Sequence, residues 1–297
     1  MTEKIALKEP MPQTNENSQI ELTEARDLQH LTTGFNTLSK CRYGWMLYHS
    51  ADQYIGRSLK KYGEFSEGEA VLFRQLLRPG DLVVEAGANF GAHTLAMAKL
   101  VGDQGCIVAF EPQRLVFQAM AANAAINSLV NVMTVHAGLG AKPGLLKVPV
   151  LNPAKEHNFG GFNIGNHDTG EAVPVQTVDS LGLNRCRFIK VDVEGMECEV
   201  LEGARNTIAR HRPVLYVEND RTGNSQRLIA LIQSLGYRLW WHLPRMFNPD
   251  NFRGDRENVF GDIVSVNMLC FPLETPVTID LPEITTPQDN WRKAGRN

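Results

Sequence analysis

Short apolar runs that stop on an acid or a glycine alternate, along most of this chain, with stretches in which apolar residues recur every three or four positions. Apolar runs of four or five residues suit strands covered on both faces, and the wider spacing suits helices with one buried stripe. The alternation therefore predicts an α/β fold, a mostly parallel sheet with helices on both faces. Leu82 to Val84, between the Pro79-Gly80 turn and Gly87, is the first such strand, followed by a crossover helix over residues 91 to 101 that Gly102 and Gly105 close. Cys106 to Phe110 runs into Glu111-Pro112 as a second strand, residues 114 to 127 form an Ala-rich helix, and Val130 to His136 make a third strand that ends at Ala137-Gly138. The pattern resumes at Arg187 to Val191, which runs into Asp192-Val-Glu194-Gly195. Met196, Val200, Ala204 and Ile208 then mark one helical stripe, and a strand from Pro213 ends on Glu218. Leu228, Leu231, Ile232 and Leu235 give a further helix stopped by Gly236, and Tyr237 to Trp241 with Ile263 to Leu269 give a paired antiparallel edge.

Four segments fall outside this alternation. Residues 1–19 are polar and proline-interrupted and read as a mobile leader, with ordered structure starting near Ile20. Residues 20–78 read as an N-terminal helical extension, in which Phe35, Tyr43, Trp45, Tyr48 and Tyr54 pack short helices onto the main domain of residues 79–271. Within it, Ser66-Glu-Gly-Glu69 has capping-box spacing ahead of Ala70, Phe73 and Leu77. Residues 142–179 form a β insertion. Val148 and Val150, then Val173 and Val175, flank a polar loop from His157 to Asn163, which is either a substrate lid or a plain hairpin. Residues 272–297, with prolines at 276, 282 and 287, read as an extended wrap or a disordered tail.

Composition narrows the setting more than the chemistry. A hydrophobic content of 43% with 21% charged residues is that of an ordinary globular protein, and a formal charge of −3 gives no electrostatic reason to expect a nucleic-acid or anionic-membrane partner. Cys41, Cys106, Cys186, Cys198 and Cys270 lack C-x-x-C spacing, which points to reduced thiols in a cytoplasmic setting and away from a zinc cluster or disulfide framework. The uncharged stretch 115–141 carries Gln118, Asn123, Asn127 and other polar residues too often for a bilayer span, and the N-terminus lacks the apolar core of a signal peptide.

The strand ends carry the chemistry. Gly87 and Gly91 remove side chains that would block a ligand, and the turn between them is expected to leave backbone N–H groups unpaired for a carboxylate or phosphate. Glu111 lies twenty residues past Gly91, where a doubly wound fold places a carboxylate on ribose hydroxyls. With Glu85, Asp192, Glu194 and Glu218 also at strand ends, one sheet edge becomes strongly acidic, which suits a cationic cofactor carrying a ribose. No G-x-x-x-x-G-K-[ST] run is present to hold a triphosphate, and the turn is G-x-x-x-G where a dinucleotide fingerprint has G-x-G-x-x-G.

Glu85-Ala-Gly87-Ala-Asn89-Phe-Gly91, Ala109-Phe-Glu111-Pro112, Ile189-Lys-Val-Asp192-Val-Glu194-Gly195 and Val200-Leu-Glu-Gly203-Ala together resemble the FkbM family of S-adenosylmethionine-dependent methyltransferases, over about residues 62 to 220. The resemblance implies a class I methyltransferase (Rossmann-like) fold with a seven-stranded sheet, S-adenosylmethionine as cofactor, and methylation of hydroxyl groups in polyketides, sugars and related metabolites. Glu85 departs from an Asp common in the family, and Phe90 from a smaller aliphatic residue. In this frame Gly87, Asn89 and Gly91 approach the methionine part, Glu85 accepts its ammonium, Glu111 takes the ribose diol, and Phe110, Pro112 and Gly138 adjoin the adenine.

An alcohol acceptor must lose a proton, either to a general base or with the help of a divalent ion that lowers its pKa. Asp192, Glu194 and Glu218 are the candidates for the base, and Asp192 and Glu218 for a metal. Glu194 has the further reading of a cap on the following helix. His93, His157 and His242 are secondary candidates for the base. The partner expected is a small-molecule hydroxyl acceptor, with no nucleic acid and no membrane. Two other functions compete: a non-catalytic S-adenosylmethionine-binding protein, and an NAD-linked oxidoreductase that the turn spacing disfavours.

Overall fold

The computed structural model of the chain describes residues 3–5, 30–158 and 169–294. Its elements in order are β1 (Glu3–Ile5), β2 (His30–Thr33), β3 (Asn36–Cys41), β4 (Gly44–His49), α1 (Ile55–Tyr62), α2 (Glu67–Leu76), β5 (Leu82–Ala86), α3 (Ala92–Val101), β6 (Cys106–Phe110), α4 (Arg114–Ile126) and β7 (Val132–Val135). They continue as β8 (Gly138–Leu139), β9 (Gly144–Val148), β10 (Glu171–Gln176), β11 (Phe188–Val191), α5 (Glu197–Glu202), α6 (Arg205–His211), β12 (Val214–Glu218), α7 (Thr222–Ser234), β13 (Tyr237–His242), β14 (Asn267–Pro272), β15 (Val277–Ile279), β16 (Glu283–Ile284) and α8 (Trp291–Ala294).

The main sheet runs β16-β13-β14-β12-β11-β5-β6-β7, parallel from β12 to β7 and antiparallel beyond. Seven of these strands, β13 to β7 in this order, match the seven-stranded, mostly parallel sheet expected from the resemblance. The eighth, β16, is two residues of the tail laid on the β13 edge. Neighbouring positions on each strand face opposite ways. Val84, Ile189 and Leu215 pack on one face with α5 to α7, while Val83, Phe188 and Val214 pack on the other with α2 and α3. Buried runs with no polar alternation are the sequence trace of this double cover.

The extension is not the helical segment its aromatics suggest. β2, β3 and β4 form a three-stranded antiparallel sheet before the two helices begin. Burial there alternates with period two, Thr37, Ser39 and Cys41 turning inward on β3 and Met46 and Tyr48 on β4, a pattern that the polar inward residues hide in the sequence. The free edge of β4 is docked on α4 by two asparagines one turn apart. Asn123 accepts from Leu47 N and donates to Leu47 O, and Asn127 does the same with Trp45.

α2 forms where expected but without the capping box. Ser66 stands at φ 43, and its hydroxyl donates to the Glu69 carboxylate at 2.8 Å instead of accepting a helix N–H. The stripe from Met196 to Ile208 is two helices, because at Gly203 the chain passes so close to Gly140 O that a Cβ would lie 2.0 Å from it. The insertion is a hairpin of β9 and β10, β10 also pairing with β8, and it reaches back to the extension through a bridge between His157 and Asp52. Val150 lies outside it and is exposed. The tail is ordered through residue 294 in β15, β16 and α8. In the leader, β1 pairs with β15. The rest of the leader, the expected start near Ile20 and the loop from Phe159 to Asn163 lie outside the described residues. All five cysteines are unpaired, and no helix among the described residues is long and apolar enough to cross a membrane.

Candidate active site

At the C-terminal ends of the parallel strands lies a cavity of about 410 Å3. Strand register explains why acids collect there. Glu85, Lys190 and Tyr216 sit side by side across β5, β11 and β12. Two residues further along β11 and β12, Asp192 and Glu218 leave the sheet on the same side. The cavity runs from Gly87, Asn89, Phe110 to Gln113 and Ala137 to Leu139, past Asp192, Glu194 and Glu218, to Glu69, Tyr54, Phe65, Met246 and Ser265 to Asn267. Asn158 and Leu146 of the insertion also line it.

Of the residues read as cofactor ligands, Gly87, Asn89, Glu111, Pro112 and Gly138 line this cavity, and Glu85 and Gly91 do not. The glycines answer to packing. A Cβ on Gly87 would lie 1.7 Å from Asp192 O, and one on Gly91 would lie 3.2 Å from Met120 Cγ. The turn is also no open anion cradle. Gly87 N and Ala88 N donate to Phe110 O, Asn89 N to Glu111 Oε2, Phe90 N to Asn89 Oδ1, and Gly91 N to Ala88 O.

Glu111 is held at both oxygens, Oε2 by Asn89 N at 2.9 Å and Oε1 by Gln113 N at 2.8 Å. Burial still pushes its carboxyl up to about 7, against the pull of those two N–H groups. Glu85, beneath the cavity floor, accepts from Thr94 Oγ1 at 2.5 Å, and burial raises it to about 7 despite the nearby Lys190 ammonium.

Asp192, Glu194 and Glu218 do come together, each offering an oxygen within 4.8 Å of the others. Their protonation differs. Burial would raise Asp192, but the Lys190 ammonium, 2.8 Å from Oδ2, holds it below the usual range, and Glu218 hydrogen-bonds to it. Burial and the Asp192 charge push Glu218 well above the usual carboxylate range, and its Oε2 is buried without a hydrogen-bond partner. Burial and Asp192 also push Glu194 up to about 8, against the Arg221 guanidinium that donates to it. Glu194 stands at φ 56 and does not cap the following helix. Glu197 accepts Gly195 N instead.

None of the three histidines lines the cavity. His93 packs between Phe65 and Phe73, and burial lowers its pKa. His242 is hydrogen-bonded to Tyr216 Oη through Nδ1 at 2.8 Å and burial lowers it to about 4, while His157 belongs to the bridge with Asp52. The site residues that sequence reading missed are Glu69, read as half of a capping box, and Arg221, which follows the acids at the end of β12. Residues 264–267 were visible only as a strand.

These shifts set a pH dependence for the ligand-free protein. Glu85, Glu111 and Glu194 bind protons more tightly folded than unfolded, so their contribution to stability is full below their ordinary value of 4.5 and is lost as pH rises through about 7, 7 and 8. His49 and His242, lowered by burial from 6.5 to about 4, oppose this, their contribution being lost as pH falls through that window. The two sets offset each other below pH 6.5, and only the carboxylates act above it. The thermal midpoint should therefore fall between pH 6.5 and 8, and Glu194→Gln should flatten the upper part of the slope. A midpoint that rises over this interval would show these carboxylates ionised in the folded protein.

Several known methyltransferases are similar to this chain. The Methyltransferase FkbM domain model matches residues 85–239, more than half of the 297 residues. Methyltransferase sdnD of Sordaria araneosa is 30% identical over 154 residues, covering 41% of this chain and 59% of that protein, so the chain spans less than two thirds of that relative. Among solved structures, the methyltransferase FkbM of Methylobacillus flagellatus is similar with a TM-score of 0.44 and 17% identity, over 74% of this chain and 56% of that one. A SAM-dependent O-methyltransferase of Thermotoga maritima gives a TM-score of 0.41 and 13% identity, over 82% and 85%. By its matched domain, this chain belongs to the FkbM methyltransferase family.

Proposed function

We propose that the chain transfers a methyl group from S-adenosylmethionine to a hydroxyl of a small-molecule acceptor. The observation that carries this reading is one cavity with Asn89 and Glu111 at one end and the Asp192, Glu194, Glu218 cluster beside them. Its volume of about 410 Å3 lies in the range of small-ligand sites. After accepting from Asn89 N and Gln113 N, each oxygen of Glu111 keeps a lone pair, enough for the two hydroxyls of a ribose diol. Phe110, Pro112 and Gly138 offer the adjoining wall to a flat base. Six acidic side chains line the cavity (Glu69, Glu111, Asp192, Glu194, Glu218 and Asp220) against one basic side chain, Arg221; burial drives Glu194 and Glu218 toward their neutral forms, and the ionised Asp192 with the acceptor oxygens around it suits a cation. When bound, S-adenosylmethionine supplies an electrophilic methyl group on a cationic sulfur.

Glu85 and Gly91 act from behind in this reading. Glu85 fixes Thr94 at the start of α3, and Gly91 lets that helix approach Met120. Asp192 is the carboxylate held in proton-accepting form, and it stands next to Glu218, which burial and the Asp192 charge push toward its protonated form. The nicotinamide alternative loses weight because the turn's N–H groups, which would have to receive a pyrophosphate, are all used within the protein.

A resident divalent ion fits the acid cluster poorly. Lys190 holds Asp192, Arg221 holds Glu194, and Glu218 is driven toward its neutral form. Methyl transfer is expected to continue in the presence of a chelator, and its loss with recovery on added magnesium would restore the metal to the mechanism.

The experiment for the cofactor site is calorimetric titration of S-adenosylmethionine into wild type and Glu111→Ala. Charge-assisted hydrogen bonds are worth about 1.5–3 kcal/mol, so the variant should bind roughly 10- to 100-fold more weakly. Equal affinities would sink the ribose assignment.

A further inference from the structure

We infer that Glu69, a carboxylate delivered by α2 from outside the matched methyltransferase region, recognises the acceptor, and that the acceptor class is a cationic or neutral amino alcohol or diol with an apolar body, not a hydroxy acid. The inference rests on the cofactor reading above, because it assigns to the acceptor the end of the cavity that the cofactor leaves.

The strand order divides the cavity. Glu111 and Gly138 follow β6 and β7 on one side of β5, whereas Glu218 and Asn267 belong to β12 and β14 on the other. α2 lies over the second side, with Phe73 packed edge-on against Phe188 and Tyr216 at 5.5 and 5.1 Å. Its first turn therefore brings Glu69 to the β12–β14 end. Besides Asp192 and Glu218, this end is built from parts outside residues 85–239: Tyr54 and Phe65 from the extension, Glu69 from α2, Met246 and Ser265 from the segment between β13 and β14, and Asn267 at the start of β14.

Glu69 is prepared for a ligand. It is only 3% exposed, yet it lines the cavity. Ser66 Oγ donates to its Oε1 at 2.8 Å, and the left-handed Ser66 backbone turns this pair inward where a capping box would have spent it on the helix. Oε2 lies 3.9 Å from His93 Nδ1, and burial keeps that imidazole from taking up charge. Glu69 takes a hydrogen bond from Tyr216 and shares a single ammonium, that of Lys190, with Asp192 and Glu85, so its charge is only partly offset, which favours an ammonium or hydroxyl donor and repels an anion. The ionised Asp192 nearby adds to the repulsion, while Tyr54, Phe65 and Met246 supply apolar contact for the body.

The test uses the full chain loaded with S-adenosylhomocysteine and three compounds of one body: phenylglycinol, 1-phenylethane-1,2-diol and mandelate, titrated by ligand-observed NMR. Wild type should bind phenylglycinol most tightly, the diol less, and mandelate not measurably. Glu69→Gln, which keeps an acceptor for Ser66, should weaken phenylglycinol about tenfold and the diol less than threefold, at unchanged S-adenosylhomocysteine affinity. The inference is overturned if mandelate binds as well as phenylglycinol, if Glu69→Gln binds all three as wild type does, or if the loaded wild type binds none of them. Failure of the wild type to bind S-adenosylhomocysteine overturns the cofactor reading instead, so the two failures are told apart.

Discussion

Asp192→Asn is expected to lower methyl transfer by about 10²–10⁴-fold, the range of a general base, while S-adenosylmethionine affinity stays within a few-fold of wild type. The measurement is incorporation of labelled methyl from S-adenosylmethionine into a metabolite extract, with the product identified by mass spectrometry, beside a calorimetric titration of the cofactor. The size follows from an asymmetry in the cluster. Asp192 is kept ionised by Lys190, whereas Glu194 and Glu218 are pushed toward their protonated forms, so Asp192 is the member ready to take a proton at neutral pH. Its basicity is low because of the same ammonium. That suits late proton transfer, since an alcohol oxygen becomes acidic as its bond to the methyl carbon forms. Glu218→Gln separates two versions of the mechanism. The amide still donates to Asp192, so a turnover near wild type would make Glu218 a positioning residue, and a loss matching Asp192→Asn would make the shared proton essential. Wild-type rates in both variants would remove the cluster from the reaction and leave the non-catalytic reading in possession.

Where sequence and structure agree, a single periodicity decides the matter. Leu82 to Val84, Cys106 to Phe110 and Val214 to Val217 are apolar on both faces, Phe188 to Val191 is interrupted only by Lys190, and these runs read as covered strands from which the parallel order with its acidic edge follows. β3 and β4 escape the pattern because their inward side chains include Thr37, Ser39 and Tyr48, whose hydroxyls are satisfied within the extension: Ser39 Oγ to Tyr48 Oη is 3.1 Å, and Thr37 Oγ1 pairs with Thr32 and Ser50. A polar residue satisfied inside looks in sequence like one that is exposed. The site divides along the same line. Glu111, Asp192 and Glu218 follow directly from strand ends, but the use of Ser66 and Glu69 depends on a backbone turned to φ 43, and no spacing rule distinguishes that from a cap. Gly87 lines the cavity, and the structure adds a reason for glycine there that the sequence does not show. The atom that forbids a side chain there is Asp192 O, more than a hundred residues away in sequence, and only the pairing of β5 with β11 brings it close.

That pairing also gives the largest expected loss of stability, in Lys190→Met. Lys190 is 2% exposed, stands in register with Glu85 across β5 and β11, and donates to Asp192 Oδ2 at 2.8 Å. Burial alone would lower its pKa, and it is raised because Asp192, Glu85 and Glu69 surround it. Methionine fills similar space but leaves three buried carboxylates without their cation, and removing one partner of a buried pair costs about 3–5 kcal/mol. For a protein of this size that corresponds to a thermal midpoint roughly 5–8 °C lower at neutral pH. The sign with pH identifies the cause. Without Lys190 the folded pKa of Glu85 rises further and that of Asp192 loses the pull that lowers it and rises through burial, so the penalty is relieved as pH falls and these carboxylates take up protons, and it grows as pH rises through the raised values. The deficit should be smaller at pH 5 than at pH 7.5. The double variant Lys190→Met/Asp192→Asn should regain part of the loss, since it removes one of the stranded charges. A deficit that is the same at both pH values, with no recovery in the double variant, would mean that Lys190 stabilises the fold by packing its chain against α2 and α3, and that its charge does not hold Asp192 ionised.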